Sequence, residues 1–91
     1  KYRPALILSH ETYSTVTGLV ICTPISSSIR GAPTEVLVNN LETPSVVATT
    51  LIHTLDWRQR KAKFIVRAES QLFDDVLARI IPLIGGESLL A

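Results

Sequence analysis

Cysteine, glycine and aromatic residues are scarce in this chain, and methionine is absent. The lone Cys22 excludes a disulfide framework, and with only His10 and His53 to join it a Cys/His zinc site has too few ligands. Gly18, Gly31, Gly85 and Gly86 never fall into a phosphate-loop or dinucleotide-binding pattern. Long apolar runs are missing too: Pro-Ala-Leu-Ile-Leu at 4–8 is far too short to span a bilayer, so no membrane partner is expected. The sequence opens without a charged leader followed by an apolar stretch, and a reduced, cytoplasmic setting is the expectation.

What the chain does have is apolar content. Hydrophobic residues make up 46% and charged residues only 19% of 91 positions, which excludes a disordered chain or a long coiled coil. One domain over residues 1–91 is the expectation. A domain of this size buries only about 60% of the surface its unfolded chain exposes, so its core must be efficient.

The net charge of +1 hides an asymmetry. Residues 1–68 carry eight Lys/Arg against four Asp/Glu, whereas 69–91 carry Arg79 against Glu69, Asp74, Asp75 and Glu87. Arg58, Arg60, Lys61 and Lys63 cluster tightly. Such a cluster suits a polyanion or an acidic peptide, although a solvated loop has the same composition.

Strand signals precede a helix signal. Residues 4–8 fit a strand buried on both faces, and Leu-Val-Ile-Cys-Thr at 19–23 a second one, opened by Gly18 and closed by Pro24. Between them the hydroxyl-rich stretch 10–17 reads as a turn or short helix. A third strand is expected at 35–39, a longer fourth at 45–54 and a short fifth at 64–66. Leu72, Phe73, Val76, Leu77, Ile80, Leu83 and Ile84 then recur at helical spacing, with Pro82 in the last turn and Gly85-Gly86 as the stop. The pattern implies a compact, mainly antiparallel barrel or half-barrel carrying one helix.

Several catalytic arrangements fail. Ser9 and His10 are adjacent and point to opposite faces of an extended chain, and there is no Gly-x-Ser-x-Gly elbow. Asp74 and Asp75 diverge on a helix. Two places are better suited to phosphate. Arg3 stands beside Pro4 at the mouth of a strand, a fixed cation with a planar fork. Ser26, Ser27 and Ser28 leave the second strand toward Arg30 and Gly31, offering hydroxyl and backbone donors.

These pieces come in a recognisable order. Arg-Pro-Ala-Leu-Ile-Leu-Ser at 3–9, Tyr13, Thr-Gly-Leu-Val-Ile at 17–21, Pro-Ile-Ser-Ser at 24–27, Gly31, Glu-Val at 35–36, Leu-Asp-Trp-Arg at 55–58 and Leu-Ile-Gly at 83–85 together closely resemble the MazF/PemK family, the toxin half of bacterial toxin–antitoxin pairs. The resemblance implies a mainly β fold with α, a small SH3-like (MazF/CcdB-type) antiparallel barrel with a C-terminal helix. It implies a metal-independent, cofactor-free endoribonuclease that cuts single-stranded RNA, chiefly mRNA, as a homodimer silenced by an acidic antitoxin. Arg3 matches the arginine of the family's Arg-Pro motif, and Ser26 stands where relatives carry a catalytic threonine. Ser27, Ser28, Arg30, Arg58, Arg60 and Lys61 become the expected RNA contacts. His10 and His53 fall on no catalytic position, and Trp57 matches a tryptophan expected to pack.

Two departures stand out. Thr50-Leu51 replaces an Asp-Gln pair carried by many relatives. Relatives also have a strand and a glycine-rich loop upstream of the Arg-Pro motif, so the sequence is expected to lack its first strand. A related gyrase poison of the same fold ends in Trp-Gly-Ile, whereas this chain ends Ser-Leu-Leu-Ala. A degenerate, non-catalytic member that binds RNA or antitoxin is the other alternative.

Overall fold

The computed structural model describes residues 3–90. The elements run β1 (Ala5–Ile7), α1 (Glu11–Thr17), β2 (Leu19–Ser26), β3 (Glu35–Val38), β4 (Ser45–Ala48), β5 (His53–Asp56) and α2 (Ser70–Leu83), with a final 3-10 turn at Glu87–Leu89. All pairings are antiparallel, in the order β1-β2-β4-β3 with β5 also on β2. The sheet does not close into a barrel among the described residues.

The face bearing Leu6, Val36, Val38 and Val47 packs on α2 through Leu72, Val76 and Ile80. Those three recur every fourth residue, one stripe of the helix, and each contributes about 1.5–3 kcal/mol on burial. Gly85, at φ 74°, supplies the left-handed stop after the helix.

Four sequence expectations change. Residues 4–8 are not buried on both faces: only Leu6 is buried within β1, because α2 covers the Leu6 face alone and Ile7, on the other face, remains 46% exposed. The second strand passes through Pro24 instead of ending there. Flanking bonds from Ile25 N–H to the Pro4 carbonyl (3.0 Å) and from Leu8 N–H to the Ile21 carbonyl (2.8 Å) make Ala5–Pro24 a pair that exchanges no hydrogen bonds. The Pro24 nitrogen therefore faces away from β1, and its missing N–H removes nothing from that ladder.

The expected strand at 45–54 is broken for the same reason. β5 pairs with β2 as far as His53 opposite Cys22, and the β2–β4 pairing resumes at Val47 opposite Ile25. Residues 48–52 thus face only Thr23 and Pro24, so the chain bulges where Pro24 has no donor to offer. Finally, residues 64–66 form no strand. Phe64, Ile65 and Val66 are 77%, 64% and 45% exposed, and no described strand lies alongside to accept their backbone groups. β-branched and aromatic residues favour a strand only where a neighbour exists. No helix among the described residues is long and apolar enough to cross a membrane.

Candidate functional site

Register brings the two leading candidates together. Ala5 lies opposite Pro24, Leu6 opposite Thr23 and Ile7 opposite Cys22; continuing the same register sets Arg3 opposite Ser26. Side chains alternate along strands, so Arg3 and Ser26 share the face of Pro24 and Cys22, the side away from α2 and its core of Leu6 and Val47. Arg3 is exposed and Ser26 half-buried. The Ser26 hydroxyl oxygen accepts the Ser28 N–H at 3.0 Å. That bond occupies a lone pair and leaves the hydroxyl proton free to donate outward.

The loop after β2 is built around Glu35. β2 and β3 both run antiparallel to β4, so they are parallel to each other and residues 27–34 must cross over β4. One oxygen of the Glu35 carboxylate accepts the N–H groups of Arg30 (3.1 Å) and Gly31 (2.9 Å), and the Glu35 N–H closes on the Ala32 carbonyl (3.0 Å). Gly31 takes φ 78° there. Arg79 of α2 donates to the Pro33 carbonyl (3.1 Å), and Thr49 donates to the Thr34 carbonyl (2.6 Å). Ser27, Ser28 and Arg30 are exposed on this tethered loop.

Arg58, Arg60 and Lys61 of the basic cluster occupy a single tight turn after β5, with Lys63 just beyond it. Asp56 caps it: one carboxylate oxygen accepts the N–H groups of Arg58 and Gln59, both at 3.0 Å. Arg60 N–H bonds the Asp56 carbonyl (3.2 Å), Ala62 N–H the Trp57 carbonyl (3.1 Å), and Lys61 adopts φ 52°. Within the cluster the cations are not equivalent. Arg58 lies 5.2 Å from the Trp57 ring centre and donates to the Thr15 carbonyl at 2.7 Å, while Trp57 Nε1 donates to the Ser14 carbonyl at 2.9 Å. Together they cap the C-terminal end of α1. Gly18, which ends α1 at φ 74°, leaves room for that guanidinium, since a Cβ there would sit 3.3 Å from Arg58.

Burial pushes the Cys22 thiol above its ordinary pKa, and the Arg60 charge works against that rise. The Arg3–Ser26 face is not uniformly open: Cys22 and Val46, the latter directly opposite Ser26, are buried, while Arg3 is exposed and Ser26 half-buried. The hollow between β1 and α2, lined by Leu6, Ile7, Arg67, Ser70 and Phe73, belongs to other parts of the molecule. No three His, Cys, Asp or Glu side chains gather as for a metal ion among the described residues. The histidines have other places: His10 Nδ1 accepts the Thr12 N–H (3.2 Å) as the cap of α1, and His53 is exposed on β5.

A model of the family described as PemK-like, MazF-like toxin of type II toxin-antitoxin system matches residues 1–84. The chain belongs to the PemK/MazF-like toxin family. The endoribonuclease toxin MazF of Escherichia coli K12 is 32% identical over 87 residues, covering 92% of this chain and 76% of that protein. Among solved structures, a MazE–MazF crystal from Deinococcus radiodurans superposes with TM-score 0.87 at 35% identity, over 92% of this chain and 86% of that one. The Mycobacterium tuberculosis toxin MazF-mt6 superposes with TM-score 0.79 at 28% identity, over 93% and 88%.

In this PemK/MazF-like toxin the family's mainly antiparallel sheet and C-terminal helix are present, with the sheet open. Sequence reasoning missed the supports of the site: Glu35 under the serine loop, Asp56 under the basic turn, and the Trp57–Arg58 clamp on α1. Asp56 could have been found, because an aspartate at a strand end caps its own turn. Glu35 could not, since its partners are set by the crossover.

Proposed function

We propose that this chain is a toxin of a toxin–antitoxin pair acting as a metal-independent endoribonuclease on single-stranded RNA, with Arg3 and Ser26 as its catalytic residues. The reading is supported by the β1–β2 register, which when extended two residues beyond Ala5–Pro24 sets Arg3 opposite Ser26, in a chain whose relatives are named endoribonucleases. RNA carries its own nucleophile, the 2′-hydroxyl, so the protein need only orient the phosphate and stabilise the charge that builds on it. Ser26 donates its free proton to a non-bridging oxygen. Arg3 neutralises the pentacoordinate phosphate with its planar fork; a guanidinium always protonated serves as an electrostatic partner, not a proton shuttle. The 2′-hydroxyl gives up its proton to water as its oxygen bonds phosphorus, the P–O5′ bond breaks, and the 5′-oxygen takes a proton from water, leaving a 2′,3′-cyclic phosphate and a 5′-hydroxyl.

Ser27, Ser28 and Arg30 on the tethered loop, with Arg60 and Lys61 on the basic turn, hold neighbouring phosphates, while Arg58 contributes through the turn it braces as much as by its charge. The same cationic surface suits an acidic antitoxin tail, consistent with the solved MazE–MazF complexes. A cytoplasmic homodimer, each copy one toxin domain over 1–91, completes the reading. Retention of both Arg3 and Ser26 counts against a non-catalytic, gyrase-poison-like or degenerate member. The test is cleavage of a long single-stranded RNA in chelator. The wild-type chain is expected to cut, and R3A and S26A to lose at least a hundredfold in rate. Full activity in both variants would overturn the site.

A further inference from the structure

Three consecutive carbonyls at the exit of the serine loop are each taken by a donor from a different part of the fold. The Glu35 N–H of β3 bonds the Ala32 carbonyl (3.0 Å), Arg79 Nε of α2 bonds that of Pro33 (3.1 Å), and the Thr49 hydroxyl, just beyond β4, bonds that of Thr34 (2.6 Å). Pro33 is exposed, so its carbonyl has water within reach and does not need a side chain as partner. Arg79 is nonetheless aimed at it by its own helix, because Nη1 also donates to the Asp75 carbonyl one turn earlier at 2.9 Å. Thr49 is fully buried, with its hydroxyl proton committed to the loop. Neither side chain belongs to the apolar stripe of Leu72, Val76 and Ile80 that seats α2 on the sheet.

Resting on the endoribonuclease reading, we propose that Arg79 is a positioning residue for RNA binding, clasping with Thr49 the end of the loop that carries Ser27, Ser28 and Arg30. The two clasped carbonyls immediately precede Glu35, whose carboxylate holds the N–H groups of Arg30 and Gly31. Fixing residues 33 and 34 therefore fixes the base from which Glu35 holds the loop. Ser26 is placed by β2 itself, opposite Val46 in the ladder. The clasp thus acts on binding and leaves the chemical step alone. A loop held before RNA arrives need not be ordered by it, and ordering the backbone of one residue on binding weakens affinity by about tenfold. RNA that reorders a loosened loop as it binds still meets Arg3 and Ser26 in place, so KM rises while kcat holds.

Binding and cutting are read separately on the full chain as wild type, R79M, R79K and T49V. Steady-state cleavage of a short single-stranded RNA gives KM and kcat, and anisotropy titration of the same strand with a 2′-deoxy sugar before the cut gives Kd. R79M keeps an apolar stem and loses every donor, whereas T49V keeps the shape and loses the hydroxyl. Each is expected to raise KM and Kd about five- to tenfold with kcat within about twofold of wild type, and R79K, which retains one ammonium, to fall between. Thermal unfolding shows which variants are folded; R79K and T49V carry the test if R79M is not. Weakened Kd with no cutting by any protein would uphold the clasp while sinking the ribonuclease reading. Unchanged KM and Kd in the folded variants, a loss confined to kcat, or a wild type that binds neither strand would overturn it.

Discussion

Removing the Glu35 carboxylate tests whether a single side chain holds the serine loop. In the native structure one of its oxygens accepts two backbone N–H groups, from Arg30 at 3.1 Å and Gly31 at 2.9 Å. Hydrogen bonds to a charged acceptor are worth about 1.5–3 kcal/mol each. Glu35 is only half-buried and its partners are exposed, so the two bonds together are worth about 2 kcal/mol after solvent competition. E35A should lose all of this and E35Q about half, since the amide keeps an acceptor oxygen but no charge. At roughly 4–8 °C per kcal/mol for a chain of this length, E35A should melt about 10 °C below wild type, with E35Q between them. Amide hydrogen exchange gives the direct readout: Arg30 and Gly31 should exchange faster in the order wild type, E35Q, E35A. RNA affinity should fall in the same order, because Ser27, Ser28 and Arg30 ride on the loop. Unchanged exchange at both amides in E35A, with a melting point within 2 °C of wild type, would refute the reasoning.

Two other outcomes are expected. W57F removes the Nε1 donor from the Ser14 carbonyl (2.9 Å) and should cost about 1–2 kcal/mol, read by denaturant unfolding; no loss would mean α1 is not held by this clamp. Burial raises the Cys22 pKa in the folded chain, so its stabilising contribution is complete below the unfolded pKa and fades as pH rises through the folded one. Stability should therefore decline on the alkaline side above about pH 9, more steeply in wild type than in C22A, and parallel pH profiles would contradict this.

How far the sequence could be read depended on the range of the interaction. α2 was visible because Leu72, Val76 and Ile80 repeat within one element and need only a sheet to pack on. Arg3 and Ser26 were each legible as phosphate-binding candidates, but no local pattern states that residues 23 apart in sequence lie opposite each other; that follows only from extending the β1–β2 register. Pro24 misled twice. Read locally it ends a strand, but it occupies a position whose N–H would have pointed at the bulge, so β2 continues while its partner breaks. Phe64, Ile65 and Val66 have the composition of a strand and lack a neighbour. Within the basic cluster, charge alone could not separate Arg58, bound to the Thr15 carbonyl, from its neighbours.

The central claim is that the RNA supplies the nucleophile and that Arg3 and Ser26 stabilise the phosphate it attacks. A single 2′-deoxy substitution at the nucleotide preceding the mapped cut tests this directly. The account predicts that wild-type protein bound to this oligonucleotide does not cut it, while the all-ribose version yields a 2′,3′-cyclic phosphate and a 5′-hydroxyl. Cleavage of the deoxy-substituted strand at the same bond would contradict it.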